Sequence, residues 1–345
     1  MSQRHRVLVV DDSAFARKVL REVLGADPRL EVVGFARDGL DALEKISELE
    51  PDVVTLDLVM PELDGVGVLN ALADRPDAPR VVIVTMTDAE SALGVTALAS
   101  GAVDVVHKPT ALATDRLYEL GAELVEKVVS AATSRAAPGA LRARPVPEPV
   151  TVPPRRPTTR LVAIGASTGG PRALSDMLSV LPADFPVPVA AVVHMPVGYT
   201  EAFAARLDES CALRVREASH GARLEPGTVL LGKAGQHLRI RLVSGELVAI
   251  LDPSPKESLH RPSVDVLFES AAQELGRSVL GVVLTGMGQD GLEGARAIHR
   301  AGGRLLVEAE SSCVVYGMPR AVAENGLGAE SVPLESMVRA ILERI

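Results

Sequence analysis

The chain alternates between short aliphatic runs and amphipathic stretches. In the first 130 residues the runs RVLVV (6–10), EVVGF (31–35), DVVTLDLV (52–59), RVVIVT (80–85) and DVVH (104–107) are almost continuously apolar and rich in Val. Runs of this kind suit strands buried on both faces. Residues 14–24, 39–49, 66–73, 90–100 and 114–132 between them are amphipathic at a helical period. Five strands alternating with five helices predict a parallel sheet covered on both sides, and right-handed crossovers make it doubly wound. The alternation resumes after residue 160. Strands are expected at 160–166, 188–195, 227–232, 237–243, 246–252, 278–286 and 303–309, and helices at 171–181, 198–209, 264–275 and 291–301. Ser244-Gly245 reads as the turn of an antiparallel hairpin.

Residues 138–157, PGALRARPVPEPVTVPPRRP, break this pattern. Seven of the twenty are Pro, so backbone donors are repeatedly missing and a semi-extended linker is expected. The predicted organisation of the 345 residues is a first domain at 1–130, a linker at 131–159 and a second domain at 160–345. The net charge of −9 is unevenly spread: −10 over residues 1–130, +5 over 131–160 and −4 over 161–345. Two acidic domains argue against nucleic-acid binding. Aromatics are scarce, with no Trp, 3 Tyr and 5 Phe, which leaves little for stacking on bases. The basic segment reads as a solvated linker. Cys211 and Cys313 are too few for a disulfide framework or a cysteine zinc site. No apolar run approaches the ~20 residues of a membrane helix, and the start MSQRHRVLVV has no signal-peptide architecture. A soluble cytoplasmic protein without membrane insertion is expected.

Ligands of open α/β sheets gather outside the carboxyl ends of the strands. In the first domain that rule brings together Asp11 and Asp12 after the first strand, Asp57 near the end of the third, Thr85 at the end of the fourth and Lys108 after the fifth. Three carboxylates in one place repel unless a cation joins them, and a hard divalent ion, Mg²⁺, suits an all-oxygen donor set. A carboxylate can also accept a phosphoryl group as an acyl phosphate, with the metal and the Lys108 ammonium stabilising its charge. The set DD–D–T–KP resembles the response-regulator receiver family over about residues 4–130. The resemblance implies Asp57 as phosphoacceptor, Asp11, Asp12 and Asp57 at the metal, and Thr85 and Lys108 as the switch pair. Receivers usually carry an aromatic three residues before that Lys; here the position is Val105.

In the second domain LVAIGASTGGPRAL (161–174) runs strand, Gly-rich turn, helix. Three readings compete: a phosphate cradle at a helix N-terminus, a purely structural turn, and a G-x-S-x-G nucleophile elbow at Ser167. The phosphate reading lacks both the Lys of GxxxxGK[ST] and the GxGxxG spacing. A nucleophilic Ser needs a base, and the base needs an orienting acid. His194 ends the second strand of this domain, and Asp290 lies in the turn TGMGQDG (285–291) after a later strand. The order Ser–His–Asp differs from that of the α/β-hydrolases. His5, His220 and His299 fall outside the strand ends, while His237 and His260 lie in or near loops. His260 opens HRPSVD (260–265), which reads either as a helix start or as lining of the site. Cys211 and Cys313 read as small buried hydrophobes, and Tyr199 and Phe203 as packing residues.

GASTGGP, HMP at 194–196, HRPSVD and TGMGQDG, in that order behind a receiver and a linker, closely resemble the chemotaxis response-regulator methylesterases, the CheB family, over essentially the whole chain. The resemblance implies a flavodoxin-like receiver followed by a Rossmann-like hydrolase sheet with an antiparallel edge hairpin. It implies Ser167 as nucleophile, His194 as general base and acid, Asp290 as its orienting partner, the Met287 N–H in the oxyanion hole, and Thr168 supporting the Ser–His geometry. The implied reaction is hydrolysis of glutamate 5-methyl esters on chemoreceptors, with glutamine deamidation by the same tetrahedral route. The implied partners are a chemosensory histidine kinase and the methylated receptor cytoplasmic domains. Mg²⁺ is expected in the receiver and no cofactor in the hydrolase. The unphosphorylated receiver is expected to cover the catalytic face. A phospho-switched binding protein and a nucleotide-binding protein are the rivals; the Ser–His–Asp set and the missing phosphate motifs count against them.

Overall fold

A computed structural model describes residues 4–85, 91–108, 114–134, 158–256 and 258–345, with side chains in 114–134 described from residue 121. The chain divides into two compact units, Met1–Arg144 and Pro145–Ile345. The core of the expected linker lies outside the described residues.

In the first unit β1 (His5–Val10), β2 (Leu30–Ala36), β3 (Val53–Leu56), β4 (Arg80–Thr85) and β5 (Asp104–His107) form a sheet in the order β2-β1-β3-β4-β5. All four pairings are parallel. The helices α1 (Ala14–Gly25), α2 (Gly39–Leu49), α3 (Gly65–Leu72), α4 (Ser91–Ala99) and α5 (Thr114–Thr133) connect or follow the strands. Ser13, Asp38 and Asp64 cap the first three through their side chains, satisfying N–H groups that a helix start leaves without partners. The third strand stops at Leu56, short of the predicted 59. Asp57 therefore stands just beyond the sheet edge.

In the second unit β6 (Leu161–Ala166), β7 (Val189–Val193), β8 (Arg214–Glu217), β9 (Thr228–Leu231), β12 (Val279–Val283), β13 (Arg304–Glu308) and β14 (Glu330–Val332) form a seven-stranded sheet, ordered β14-β13-β12-β6-β7-β9-β8. Every pairing in it is parallel. β6, β7 and β12 are buried at every position, as their continuous apolar runs require. The predicted hairpin forms from β10 (His237–Val243) and β11 (Glu246–Asp252). It pairs antiparallel with itself as a separate two-stranded sheet.

The helices of this unit are α6 (Gly170–Leu178), α7 (Tyr199–Ser210), α8 (Val264–Leu275), α9 (Leu292–Arg300), α10 (Met318–Ala323) and α11 (Leu334–Leu342). Tyr199, Phe203 and Cys313 are buried, and Cys211 is only half-buried. No helix among the described residues is long and apolar enough to cross a membrane.

Candidate active site

The second unit lays β7, β9 and β8 on one side of β6 and β12, β13 and β14 on the other. The strand order thus reverses at β6, and a crevice at such a switch point is where open α/β sheets hold ligands. Ser167 follows β6, His194 follows β7, and Asp290 lies in the turn after β12. The Ser167 Oγ is 3.1 Å from His194 Nδ1, and His194 Nε2 is 2.8 Å from Asp290 Oδ2. A carboxylate only accepts, so Nε2 carries the proton and Nδ1 presents its lone pair to the Ser167 hydroxyl. A serine, a base and an orienting acid are thus joined in one hydrogen-bonded line.

Asp290 is held by more than His194. Its Oδ1 accepts from the Ser263 hydroxyl at 2.8 Å and the Asp265 N–H at 3.0 Å, and its Oδ2 also accepts from the Val264 N–H at 2.8 Å. These donors are the first turn of α8, so Asp290 caps that helix from another element. Burial works against the charge on Asp290. The His194 hydrogen bond and the helix N–H groups outweigh it and hold the carboxyl well below the usual carboxylate range.

Asp265 returns the favour by accepting from the Gly294 N–H in the first turn of α9 at 2.8 Å. Burial first, and then the charge of Asp290, push the Asp265 carboxyl up to about 7. HRPSVD is therefore both a helix start and part of the site. Ser263 occupies the N-cap position but makes no side-chain cap of its own helix; its hydroxyl goes to Asp290 instead. His260 stacks on the His194 ring, with centroids 3.9 Å apart and planes at 18°.

The Ser167 turn is stitched to the turn after β12. Ser167 N–H donates to Thr285 O at 3.0 Å, and Thr285 Oγ donates to Thr168 O at 3.0 Å. Thr285 N–H in turn donates to Glu308 Oε2 at 2.8 Å, from a glutamate that is wholly buried. Met287 is half-buried two residues beyond Thr285. Thr168 is buried. Its carbonyl carries this contact, and its hydroxyl has no hydrogen-bond partner among the described residues. The left-handed residue of the turn is Gly169, at φ 77°, and Ser167 is not among the residues of positive φ. The turn thus presents a largely buried serine to His194 without the strained serine backbone of an α/β-hydrolase elbow.

In the first unit, Asp11, Asp12 and Asp57 bring carboxylate oxygens within 4.8 Å of one another. Lys108 Nζ lies 2.9 Å from Asp11 Oδ2 and 2.6 Å from Asp57 Oδ2. Burial raises the Asp57 pKa, and the nearby Lys108 only partly offsets it. Lys108 is desolvated too, but the two carboxylates win and raise its pKa. Thr85 is buried at the end of β4, and its carbonyl accepts the Lys108 N–H at 2.7 Å. Val105 is buried. The acidic cluster is of a kind that can hold a metal ion.

Residues 162–341 match the family model of the CheB methylesterase, and residues 7–119 match that of the response regulator receiver domain. The chain belongs to the CheB methylesterase family. Among its relatives, the protein-glutamate methylesterase/protein-glutamine glutaminase 5 of Myxococcus xanthus is 60% identical over 342 residues, which is 98% of this chain and 97% of that protein. A protein-glutamate methylesterase/protein-glutamine glutaminase of Symbiobacterium thermophilum is 45% identical over 353 residues, covering 99% and 97%. The crystal structure of the Thermotoga maritima CheB methylesterase catalytic domain, 37% identical, covers 54% of this chain and 99% of its own, with a TM-score of 0.53.

Within this CheB chain the strand-end rule locates Ser167, His194 and Asp290 but not the residues behind them. His237, His260 and Ser263 belong to segments with visible polar signals. Thr285 and Glu308 sit inside apolar strand ends, where nothing in the sequence separates them from ordinary strand residues.

Proposed function

We propose that this protein hydrolyses glutamate 5-methyl esters in the cytoplasmic domains of chemoreceptors and releases methanol, under control of phosphorylation at Asp57. The continuous line Ser167–His194–Asp290 at the switch point carries this reading, with the family as its context. We assign residues 1–130 to the receiver, 131–159 to the linker and 160–345 to the hydrolase; α5 runs three residues past the first boundary.

Ser167 Oγ attacks the ester carbonyl as His194 Nδ1 takes its proton. The Asp290 carboxylate stabilises the imidazolium and keeps the ring in orientation. The family resemblance assigns the Met287 N–H as a donor to the developing oxyanion, and one such donor is worth about 3 kcal/mol by analogy with measured oxyanion holes. The tetrahedral intermediate collapses as His194 returns the proton to the leaving methoxide. Water, activated by His194, then hydrolyses the acyl-enzyme. A glutamine side chain follows the same route with ammonia as leaving group.

In the receiver, Asp11, Asp12 and Asp57 supply the all-oxygen donor set that Mg²⁺ prefers. Asp11, Asp12 and Asp57 would hold Mg²⁺, which would supply charge neutralisation for an incoming phosphoryl group. Asp57 accepts that group from a chemosensory histidine kinase, Lys108 pairs with its oxygens, and the Thr85 hydroxyl donates to it. The kinase, the receptors and this enzyme meet in the cytoplasm.

The test is peptide mapping by mass spectrometry of a receptor cytoplasmic domain before and after incubation with the enzyme. Conversion of methyl-glutamate to glutamate at defined sites, absent with Ser167→Ala, is expected. Unchanged esters with wild type would overturn the reading.

A further inference from the structure

We infer that His237 is a positioning residue for the hydrolytic site: it holds the backbone of Ser263, and through Ser263 it fixes the Asp290 carboxylate against His194. The inference rests on the proposed Ser167–His194–Asp290 machinery.

His237 is the first residue of β10 and has no solvent exposure. Its Nε2 lies 3.0 Å from the Pro255 carbonyl, and its Nδ1 lies 3.2 Å from the Ser263 N–H. A carbonyl only accepts, so Nε2 bears the proton and Nδ1 is the acceptor. Both ring nitrogens are used, and the tautomer is fixed. Either the other tautomer or an imidazolium would set one N–H against another. Burial favours the neutral ring, and the nearby Arg239 and Arg261 add to that effect while Asp252 opposes it.

The Ser263 amide matters because of what its side chain and its successors do. The hydroxyl of Ser263 and the amides of Val264 and Asp265 all point to Asp290. Their direction is set by where the first turn of α8 begins. The segment leading into that turn has two backbone anchors on the approach to β10: Gly235 N–H donates to Arg261 O at 2.9 Å, and His237 takes Ser263 N–H. An unbroken path runs from His237 Nδ1 through Ser263, Asp290 and His194 to Ser167 Oγ. Losing the His237 acceptor leaves the buried Ser263 amide without a partner, so the turn shifts to find one. A misplacement of about 1 Å in a catalytic array lowers rate by about 10²-fold.

Two substitutions separate the two ring nitrogens. The side-chain oxygen of His237→Asn falls near the place of Nδ1 and keeps an acceptor for Ser263. The amide of His237→Gln falls near the place of Nε2 and keeps the Pro255 contact while losing the acceptor. In the full-length protein, assayed with a methyl-esterified receptor domain, His237→Gln is expected to lower kcat by about 10²-fold with KM unchanged. His237→Asn is expected to stay within about threefold of wild type. The downfield proton resonance of His194 Nε2–H, which reports its bond to Asp290, is expected in wild type and His237→Asn and lost or shifted in His237→Gln. The double variant His237→Gln/Ser263→Ala should lose little beyond His237→Gln alone, because both act on one path.

If His237→Gln does not fold, as judged by circular dichroism, His237→Asn decides alone: the acceptor it keeps for the Ser263 N–H is expected to preserve the resonance and kcat, and a folded Asn variant that loses both overturns the inference. A folded His237→Gln with the wild-type resonance and kcat overturns the inference. So does an equal loss in Asn and Gln variants that only tracks their folded fraction. If the wild type releases no methanol, the proposed activity fails separately, and the resonance comparison still decides the role of His237.

Discussion

At the scale of single residues, the three side chains in line divide the work by proton count. His194 holds its proton on the side of Asp290 because only a donor fits there. Asp290→Asn keeps the size but can turn an N–H₂ toward that ring and favour the wrong tautomer. Its kcat is expected to fall about 10⁴-fold with the fold intact, as the equivalent change does in a serine protease; steady-state kinetics with a circular-dichroism control checks this. Ser167, His194 and Asp290 were legible from residue type and strand-end position together. Of the residues that hold them, Ser263, Val264 and Asp265 lie in the HRPSVD segment, legible as a helix start or as lining of the site, whereas Thr285 and Glu308 were not legible. Glu308 reads as a charge at a strand end, which usually means solvent, yet it is buried and accepts the Thr285 N–H. Lys108 and the three receiver aspartates were legible for the opposite reason: several strand-end charges coincide, and the structure brings them together.

At the scale of elements, α8 and α9 cap one another through side chains borrowed across the site. Asp290, just before α9, caps α8, and Asp265, inside α8, caps α9. The raised Asp265 pKa gives this arrangement a pH signature. Its folded form holds a proton between the ordinary 3.8 and about 7, where the unfolded chain does not. Stability from this group is therefore complete below 3.8 and is lost as pH rises through about 7. Asp265→Asn removes that slope, so the gap between its urea midpoint and that of wild type should change across this window. An equal gap at both ends would contradict it.

The approach of α8 to β6 is equally specific. A Cβ on Gly165 would come within 2.2 Å of Val264 Cγ1, so Gly165→Ala should displace the first turn of α8 and lower both melting temperature and kcat. Thermal denaturation read beside methanol release checks it. The alternation of apolar runs revealed the central strands and most helices. The expected elements left out β8, β14, α10 and α11. Edge strands such as Arg214–Glu217 bury few positions, and α10 spans only six residues, too few for a period to emerge; α11 is as long as α6, and the spacing of Leu334, Met337, Val338 and Ile341 makes it legible.

At the scale of the whole molecule, a receiver domain and a methylesterase domain share one chain. If phosphorylation at Asp57 sets the population of the active arrangement, the effect must pass through the receiver's own chemistry. Asp57→Asn removes the nucleophilic carboxylate, so its basal activity should match wild type and its response to a phosphodonor should vanish; the ratio of rates with and without acetyl phosphate measures this.

The most direct measurement is methanol release from a methyl-esterified chemoreceptor cytoplasmic domain by the full-length protein and by Ser167→Ala, each with and without acetyl phosphate and Mg²⁺. Release by wild type that rises with the phosphodonor and falls at least about 10³-fold in Ser167→Ala is the predicted result. Equal release by wild type and Ser167→Ala would contradict it, because the hydrolysis would then not pass through the serine at the end of β6.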